Sequence, residues 1–282
     1  MRLIKTIDEM RELIEQAKSK ERVIGLVPTM GALHEGHLSL IKMAKEMCHL
    51  VVVSVFVNPT QFGPNEDLDK YPRDLHEDCS KADSAGGTVV FAPEASEMYP
   101  DGFSTFVNVS GITEKMCGVS RPGHFQGVAT VVSKLFNIVK PNYAYFGQKD
   151  AQQALVIEKF ANDLNFDVKI CVGYTVRDED GLALSSRNQY LSDEERKAAL
   201  VIPRSLNLAE DAVKNGEREI KKLKEMVVNE ITKEKLAEID YVEIYDCPSL
   251  EEIDEIKDIA LLAVAVKVGT TRLIDNIVLE AN

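Results

Sequence analysis

Apolar positions along this chain alternate between two rhythms. Ile7, Met10, Ile14 and Ala17 stand three or four apart, the spacing of a surface helix over 7–17. The unbroken run Val23-Ile24-Gly25-Leu26-Val27 is of strand length, and Leu38, Ile41, Ala44 and Cys48 then return to helical spacing up to about residue 47. Residues 50–57 form a continuous β-branched run of the kind found in strands covered on both faces. Asn58-Pro59-Thr60-Gln61-Phe62-Gly63-Pro64 is a loop by its Pro and Gly content, and 65–73 is acidic and punctuated by proline. A helix over 75–85 and a strand over 88–91 follow. Residues 103–109 alternate like a strand, and Arg121-Pro122-Gly123-His124 opens a helix with Val128, Val131, Val132, Leu135 and Val139 on one face, closed by Pro141.

Residues 143–146 read as a further buried strand. Gly147-Gln148-Lys149-Asp150 turns the chain into a helix reaching about residue 164, with Lys149, Gln152 and Gln153 on one face at its positive end. A strand over 168–172, extended to 176, completes five or six strands alternating with helices. That alternation predicts an α/β fold with a Rossmann-like, doubly wound, mostly parallel sheet over 1–175. The texture then changes. Ser192-Asp193-Glu194-Glu195 is a capping box, Pro203 should stop or kink the helix it starts, and a second helix is expected over about 217–236. Strands over 241–245, 259–267 and 271–278, with a hairpin at Gly269-Thr270, make 176–282 a smaller α+β domain.

Composition narrows the classes. At 282 residues, two domains are the better expectation from roughly 100–200 residues per domain. No apolar run approaches the ~20 residues that span a bilayer, and the start Met1-Arg2-Leu3-Ile4-Lys5 lacks the apolar core of a signal peptide, so a cytoplasmic chain without membrane contact is expected. Five scattered cysteines (Cys48, Cys79, Cys117, Cys171, Cys247) suggest neither a disulfide framework nor a zinc site. A net charge of −13 disfavours nucleic acid as a partner, while leaving room for a small anion held by a few local cations.

The candidate chemistry centres on Pro28-Thr29-Met30-Gly31-Ala32-Leu33-His34-Glu35-Gly36-His37. It lies at a strand-to-helix turn, where free helix N–H groups favour an anion. Imidazoles there can donate to phosphate oxygens, or they can be caps or surface residues. Lys149 suits a triphosphate or is a solvated lysine, and Gly147 beside it permits close backbone approach. Ser185-Ser186-Arg187 is a linker, or a loop that closes over phosphates. Asn58 and Gln61 follow a buried strand at a ligand-binding edge or are solvated loop residues. Glu66-Asp67-x-Asp69 is a Mg²⁺ ligand set or a solvated face, and Arg121 beside His124 clamps a carboxylate or covers a helix start.

Six motifs in register resemble the pantothenate synthetase (pantoate–β-alanine ligase) family of the nucleotidyltransferase superfamily with its HxGH signature. They are the histidine turn, Phe56-Val57-Asn58-Pro59-Thr60-Gln61-Phe62-Gly63-Pro64, Tyr71-Pro72-Arg73, Arg121-Pro122-Gly123-His124-Phe125, Phe146-Gly147-Gln148-Lys149-Asp150 with Gln152-Gln153, and Asp180-Gly181-Leu182-Ala183-Leu184-Ser185-Ser186-Arg187-Asn188. The resemblance implies ATP-dependent joining of pantoate and β-alanine through a pantoyl adenylate, with release of AMP and pyrophosphate. It also implies Mg²⁺ and a homodimer formed through the N-terminal domain, the C-terminal one acting as a lid. It assigns Met30, Gly31, Ala32, Leu33, His34, Glu35, Gly36, His37, Gly147, Gln148, Lys149, Asp150, Val176, Leu184, Ser185, Ser186 and Arg187 to ATP. Gln61 and Gln153 fall to pantoate and Gln61 also to β-alanine, with His37, His34, Lys149 and Arg187 as the catalytic set. Leu184 stands where the family commonly has methionine and Gln148 where it often has glutamate. The alternatives are another HxGH nucleotidyltransferase, which has no need of Gln61 with Gln153, or a nucleotide-binding regulatory module without turnover.

Overall fold

The computed structural model describes residues 1–64 and 66–281; Asn65, which opens the acidic segment expected over 65–73, and Asn282 lie outside the described residues. The chain forms two compact units. One comprises Met1–Glu114, Arg121–Gln148 and Gln152–Tyr174, the other Lys115–Ser120, Lys149–Ala151 and Thr175–Asn282. Where the sequence reading draws one boundary after 175, two short earlier stretches are thus counted with the second unit.

In chain order the elements are β1 (Arg2–Ile4), α1 (Ile7–Lys18), β2 (Ile24–Thr29), α2 (Glu35–Met47), β3 (Leu50–Val55), α3 (Leu75–Ser84), β4 (Val89–Phe91), α4 (Ala95–Met98), α5 (Cys117–Ser120, in the second unit), α6 (His124–Val139), β5 (Tyr143–Gly147), α7 (Ala151–Asp163) and β6 (Lys169–Gly173). The six strands form one sheet in the order β1-β4-β3-β2-β5-β6, and every neighbouring pair is parallel. Successive strand residues point to opposite faces. Ile24, Leu26, Leu50, Val52, Ala144 and Phe146 therefore join α1, α6 and α7 in one buried cluster, while Val27, Val51, Val53 and Tyr145 join α2 and α3 in another. Covering both faces makes the strands read as continuous apolar runs, and each fully buried Leu or Phe side chain contributes roughly 1.5–3 kcal/mol.

From β2 the chain moves outward to β3 and β4, then returns to lay β5 and β6 on the other side. The β2/β5 pair is the topological switch point, and the loops leaving its carboxyl ends, from Met30 and from Gln148, are where such a sheet binds ligands.

Three expectations need correction, and the expected break at Pro203 is located. Residues 103–109 join no ladder; Val107 and Val109 pack on the core, the Val107 N–H goes to the Thr130 hydroxyl of α6, and Phe106 faces solvent, so one-sided burial without a partner strand produces the alternation. The first sheet stops at Gly173 rather than 176, because the chain beyond bridges Arg177 to Ala183. In the second unit, α8 (Asp193–Ala199) ends four residues before Pro203 and α9 (Val201–Lys214) holds that proline in its first turn. Pro203 has no N–H for the Ala199 carbonyl, so the break falls at Leu200. The next helix, α10 (Ile220–Ile231), is shorter than expected because β7 (Ala237–Asp246) begins early, its Ala237 paired with Val268. β8 (Ile259–Val268) and β9 (Thr271–Glu280) complete an antiparallel sheet ordered β7-β8-β9, with a tight turn at Gly269-Thr270. α9, α10 and this sheet share one apolar core.

Candidate active site

The turn after β2 is wound tightly. Gly31 and Ala32 both adopt positive φ, 86° and 50°, and the Gly31 N–H is held by the Thr29 hydroxyl at 3.2 Å. A Cβ at Gly31 would lie 2.7 Å from an Asp78 carboxylate oxygen, a distance that requires glycine. Asp78, buried on α3, accepts the Ala32 N–H at 3.1 Å and the Leu33 N–H at 2.8 Å. Burial pushes the Asp78 carboxyl up, and the two backbone bonds only partly offset that. Lys81, one turn on, donates to the Leu33 carbonyl at 2.8 Å.

His34 is the N-cap of α2, and its Nδ1 accepts the Gly36 N–H at 3.2 Å. His37 Nδ1 in turn accepts the His34 N–H at 3.4 Å, closing a reciprocal capping box made of imidazoles. A ring nitrogen that accepts carries no proton, so in each neutral ring the proton sits on Nε2. The rings are 4.1 Å apart between centroids. Gly36 allows this, because a Cβ there would lie 3.0 Å from two atoms of the His34 ring.

One expectation changes here. The helix-start N–H groups expected to be free for an anion are taken: Gly36 by His34 Nδ1, and His37 and Leu38 by the His34 carbonyl. Those three N–H groups are therefore engaged within the helix start itself. Leu33 is fully buried, so only its backbone belongs to the loop surface, and Glu35 is exposed and 3.6 Å from Lys42.

Past β3, a 3-10 turn, Pro59–Gln61, carries the buried Asn58 and Gln61. Asn58 Nδ2 donates to Gln61 Oε1 and to the Gly127 carbonyl, both at 3.1 Å, and Gln61 Nε2 lies 3.0 Å from Met30 Sδ. α6 comes so close that a Cβ at Gly127 would stand 2.4 Å from the Thr60 carbonyl oxygen. His124 Nδ1–H donates to the Gln61 carbonyl at 2.8 Å and its Nε2 accepts from Arg121 at 2.9 Å, which makes it a neutral ring. Arg121 grips Glu66 with two bonds of 2.6 Å. Burial pushes the Glu66 carboxyl up, but the guanidinium outweighs it and holds Glu66 below its ordinary value. Glu66 is thus engaged with Arg121 rather than standing ready for Mg²⁺, and no cluster of three or more His, Cys, Asp or Glu suited to a metal occurs among the described residues. A cavity of about 350 Å³ opens beside Met30, lined by residues 55–57, 72–75, 78 and 92–95; neither histidine nor Gln61 lines it.

After β5, Gly147 leads into a 3-10 turn, Gln148–Asp150, and a Cβ on Gly147 would meet only open space. Lys149 precedes α7 rather than sitting on it, and its carbonyl accepts from Asn276 at 2.9 Å. On α7, Gln153 is half-buried, whereas Gln152 is buried and donates to the Ile112 carbonyl.

In the second unit Val176 and Leu184 close a small hairpin, the Leu184 N–H donating to the Val176 carbonyl at 3.0 Å. Arg177 ties it to the buried Asp275 with bonds of 2.6 and 3.0 Å, and Arg196 clamps Asp178 and Asp180 at its tip. Ser185 then caps a 3-10 segment, Ser186–Tyr190, by accepting the Arg187 N–H at 3.3 Å.

Within the first unit the structure thus gathers Met30, His34, His37 and Gln61, around the loops at one end of the sheet. Lys149 and 184–187 are built into the second unit. Asp78 and Gly127 escape the sequence reading. Asp78 had one available signal, its place between Leu75 and Ala82 on the inward face of α3.

Compared with known proteins, residues 2–278 match the family described as pantoate-beta-alanine ligase. The chain is similar to a pantothenate synthetase of Acetivibrio thermocellus, 58% identical over 280 residues that cover 99% of this chain and 100% of the relative. It also resembles the crystal structure of the pantothenate synthetase of Thermus thermophilus, with 44% identity, a TM-score of 0.94 and coverage of 98% and 99%. A third likeness is the pantoate-beta-alanine ligase of Francisella tularensis, solved complexed with beta-gamma ATP and beta-alanine, at 35% identity, a TM-score of 0.81 and coverage of 98% and 97%.

Proposed function

The chain belongs to the pantoate–β-alanine ligase family, and from that premise we propose how its residues share the work. It is an ATP-dependent ligase that makes pantothenate from pantoate and β-alanine. In our reading a pantoate carboxylate oxygen attacks the α-phosphorus of ATP and the bond to the β-phosphate breaks, giving pantoyl adenylate and pyrophosphate. The β-alanine amine then attacks the acyl carbon and expels AMP.

A carboxylate is a weak nucleophile, and the leaving pyrophosphate gathers negative charge, so stabilising that charge is the main task. His37 and His34 are assigned to it as Nε2–H donors to phosphate oxygens, with Lys149 and Arg187 as cations. The same reading gives the Met30–His37 turn, Gly147, Gln148 and Asp150 to ATP, the Val176 backbone to the adenine, and Leu184, Ser185 and Ser186 to the phosphates. Gln61 and Gln153 are assigned to pantoate, and Gln61 also to β-alanine. Mg²⁺ fits without a dedicated protein cage, since it is commonly held through substrate phosphates, and when bound it neutralises phosphate charge.

The observation that carries this reading is the orientation of both imidazoles, each Nδ1 bound to the backbone so that Nε2 is the donor. The test is pantoate- and Mg²⁺-dependent exchange of pyrophosphate into ATP. Pantothenate formation without such exchange would sink the adenylate route, and exchange with any small carboxylic acid would sink the assignment to pantoate. We also assign the chain to the cytoplasm and to a homodimer formed through the first unit. Among the described residues no helix is long and apolar enough to cross a membrane, and β6 is an edge strand with Val172 exposed on it and Tyr174 exposed just past its end, which supports pairing with a second copy.

A further inference from the structure

One partner of the Asn58 amide, the Gly127 carbonyl, has a fixed role, and it sets which way the amide of Gln61 points. An amide's oxygen and nitrogen are told apart by what they bond to. The Gly127 carbonyl can only accept, so the Asn58 atom 3.1 Å from it is Nδ2. Oδ1 therefore faces the other way, accepting from the Tyr99 hydroxyl at 2.8 Å and the Thr60 hydroxyl at 3.0 Å. The second Nδ2 hydrogen goes to Gln61, which makes the contacted Gln61 atom Oε1. Gln61 then turns its NH₂ group outward, toward Met30 Sδ, a weak acceptor that a ligand oxygen would replace with gain. Reversing Asn58 would set its carbonyl oxygen against that of Gly127 in a buried site and forfeit that hydrogen bond, while Tyr99 and Thr60 hydroxyls oriented as donors favour Oδ1 on their side.

We propose that Tyr99 is a positioning residue for the acid substrate: with the Gly127 carbonyl it fixes, through Asn58, the polarity of the Gln61 amide, so that Gln61 offers N–H donors and selects a carboxylate or hydroxyl oxygen. The inference rests on the assignment of Gln61 to pantoate. Tyr99 suits the task in two further ways. Burial pushes its pKa up, so the hydroxyl stays protonated and able to donate. Its ring packs against Phe56 and Phe103, with centroids 6.3 and 5.0 Å away, so a phenylalanine at 99 keeps the packing and removes only the hydroxyl.

The test is steady-state kinetics, with pantoate and ATP varied separately, of Tyr99→Phe, Gln61→Ala and the double variant, each checked by thermal melting. Tyr99→Phe is expected to raise the pantoate KM about two- to tenfold, the worth of one net hydrogen bond, and to leave the ATP KM unchanged. In the Gln61→Ala background the same change should have no further effect, because the relay has lost its end point. Gln61→Glu, which replaces donors by acceptors in the same shape, should raise the pantoate KM more than Gln61→Ala does. An unchanged pantoate KM in Tyr99→Phe, equal rises for both substrates, additivity in the double variant, or tolerance of Gln61→Glu would each overturn the relay while leaving Gln61 at pantoate. An unchanged pantoate KM in Gln61→Ala would instead overturn that assignment, and the relay with it. Where turnover is too low to measure, pantoate binding by calorimetry beside a non-cleavable ATP analogue gives the same comparison.

Discussion

His34 and His37 stand 4.1 Å apart between ring centroids, and each Nδ1 is held by a backbone N–H of one helix end. His37→Ala removes one Nε2 donor and half of the imidazole capping box. Single-turnover formation of the adenylate should slow by about 10²–10³-fold, the usual loss for one oxyanion-stabilising donor. Stability should fall by only about 0.5–2 kcal/mol, the worth of a cap, with the circular dichroism spectrum retained. Near-normal turnover would remove His37 from the chemistry.

Asp78 uses both carboxylate oxygens to hold the Ala32 and Leu33 N–H groups. An asparagine in its place keeps one acceptor and turns an NH₂ toward the other N–H. Asp78→Asn is expected to cost ~1–3 kcal/mol in chemical denaturation and to raise the ATP KM severalfold while sparing the pantoate KM. The opposite pattern of KM changes would show that the turn does not serve the nucleotide.

The Glu66–Arg121 pair makes a prediction about pH. Because the folded carboxyl titrates below its ordinary value of 4.5, its contribution is present above that value and is lost as the pH falls through the folded pKa. Glu66→Gln should therefore be less stable than the parent by ~1–3 kcal/mol at pH 7. The gap should close as the pH drops below about 4.5, as read from urea midpoints across the range. A gap independent of pH would mean that packing, and not the ion pair, holds Glu66.

Gly127→Ala places a methyl group where the Thr60 carbonyl oxygen lies 2.4 Å away. Either α6 or the 3-10 turn must move. A loss of ~1–3 kcal/mol is expected, together with a raised pantoate KM, because the turn carries Gln61. A variant with unchanged melting and kinetics would show that the turn yields freely.

The order of elements was legible because both sheet faces are covered: runs such as Leu50–Val55 carry their burial on their face, and the capping box at Ser192 and Glu195 forms as its spacing predicts. The residues around 103–109 misled because one-sided packing on α6 mimics the alternation of a strand. The histidine turn stood out for its residue types. Its supports did not: Asp78, Tyr99 and Gly127 act over separations of 41 to 69 residues, joining positions that only the folded sheet brings together. The tautomers were equally invisible, since they follow from backbone N–H groups that spacing alone would have left free for an anion.

Gly36 bears on how this signature can change over time. Any side chain at 36 crowds the His34 ring, the His34 ring caps the Gly36 N–H, and His37 in turn caps His34. No single substitution among these three leaves the other two as they are. The three positions therefore act as one unit, in which a change at any one is felt at the backbone or ring of the others.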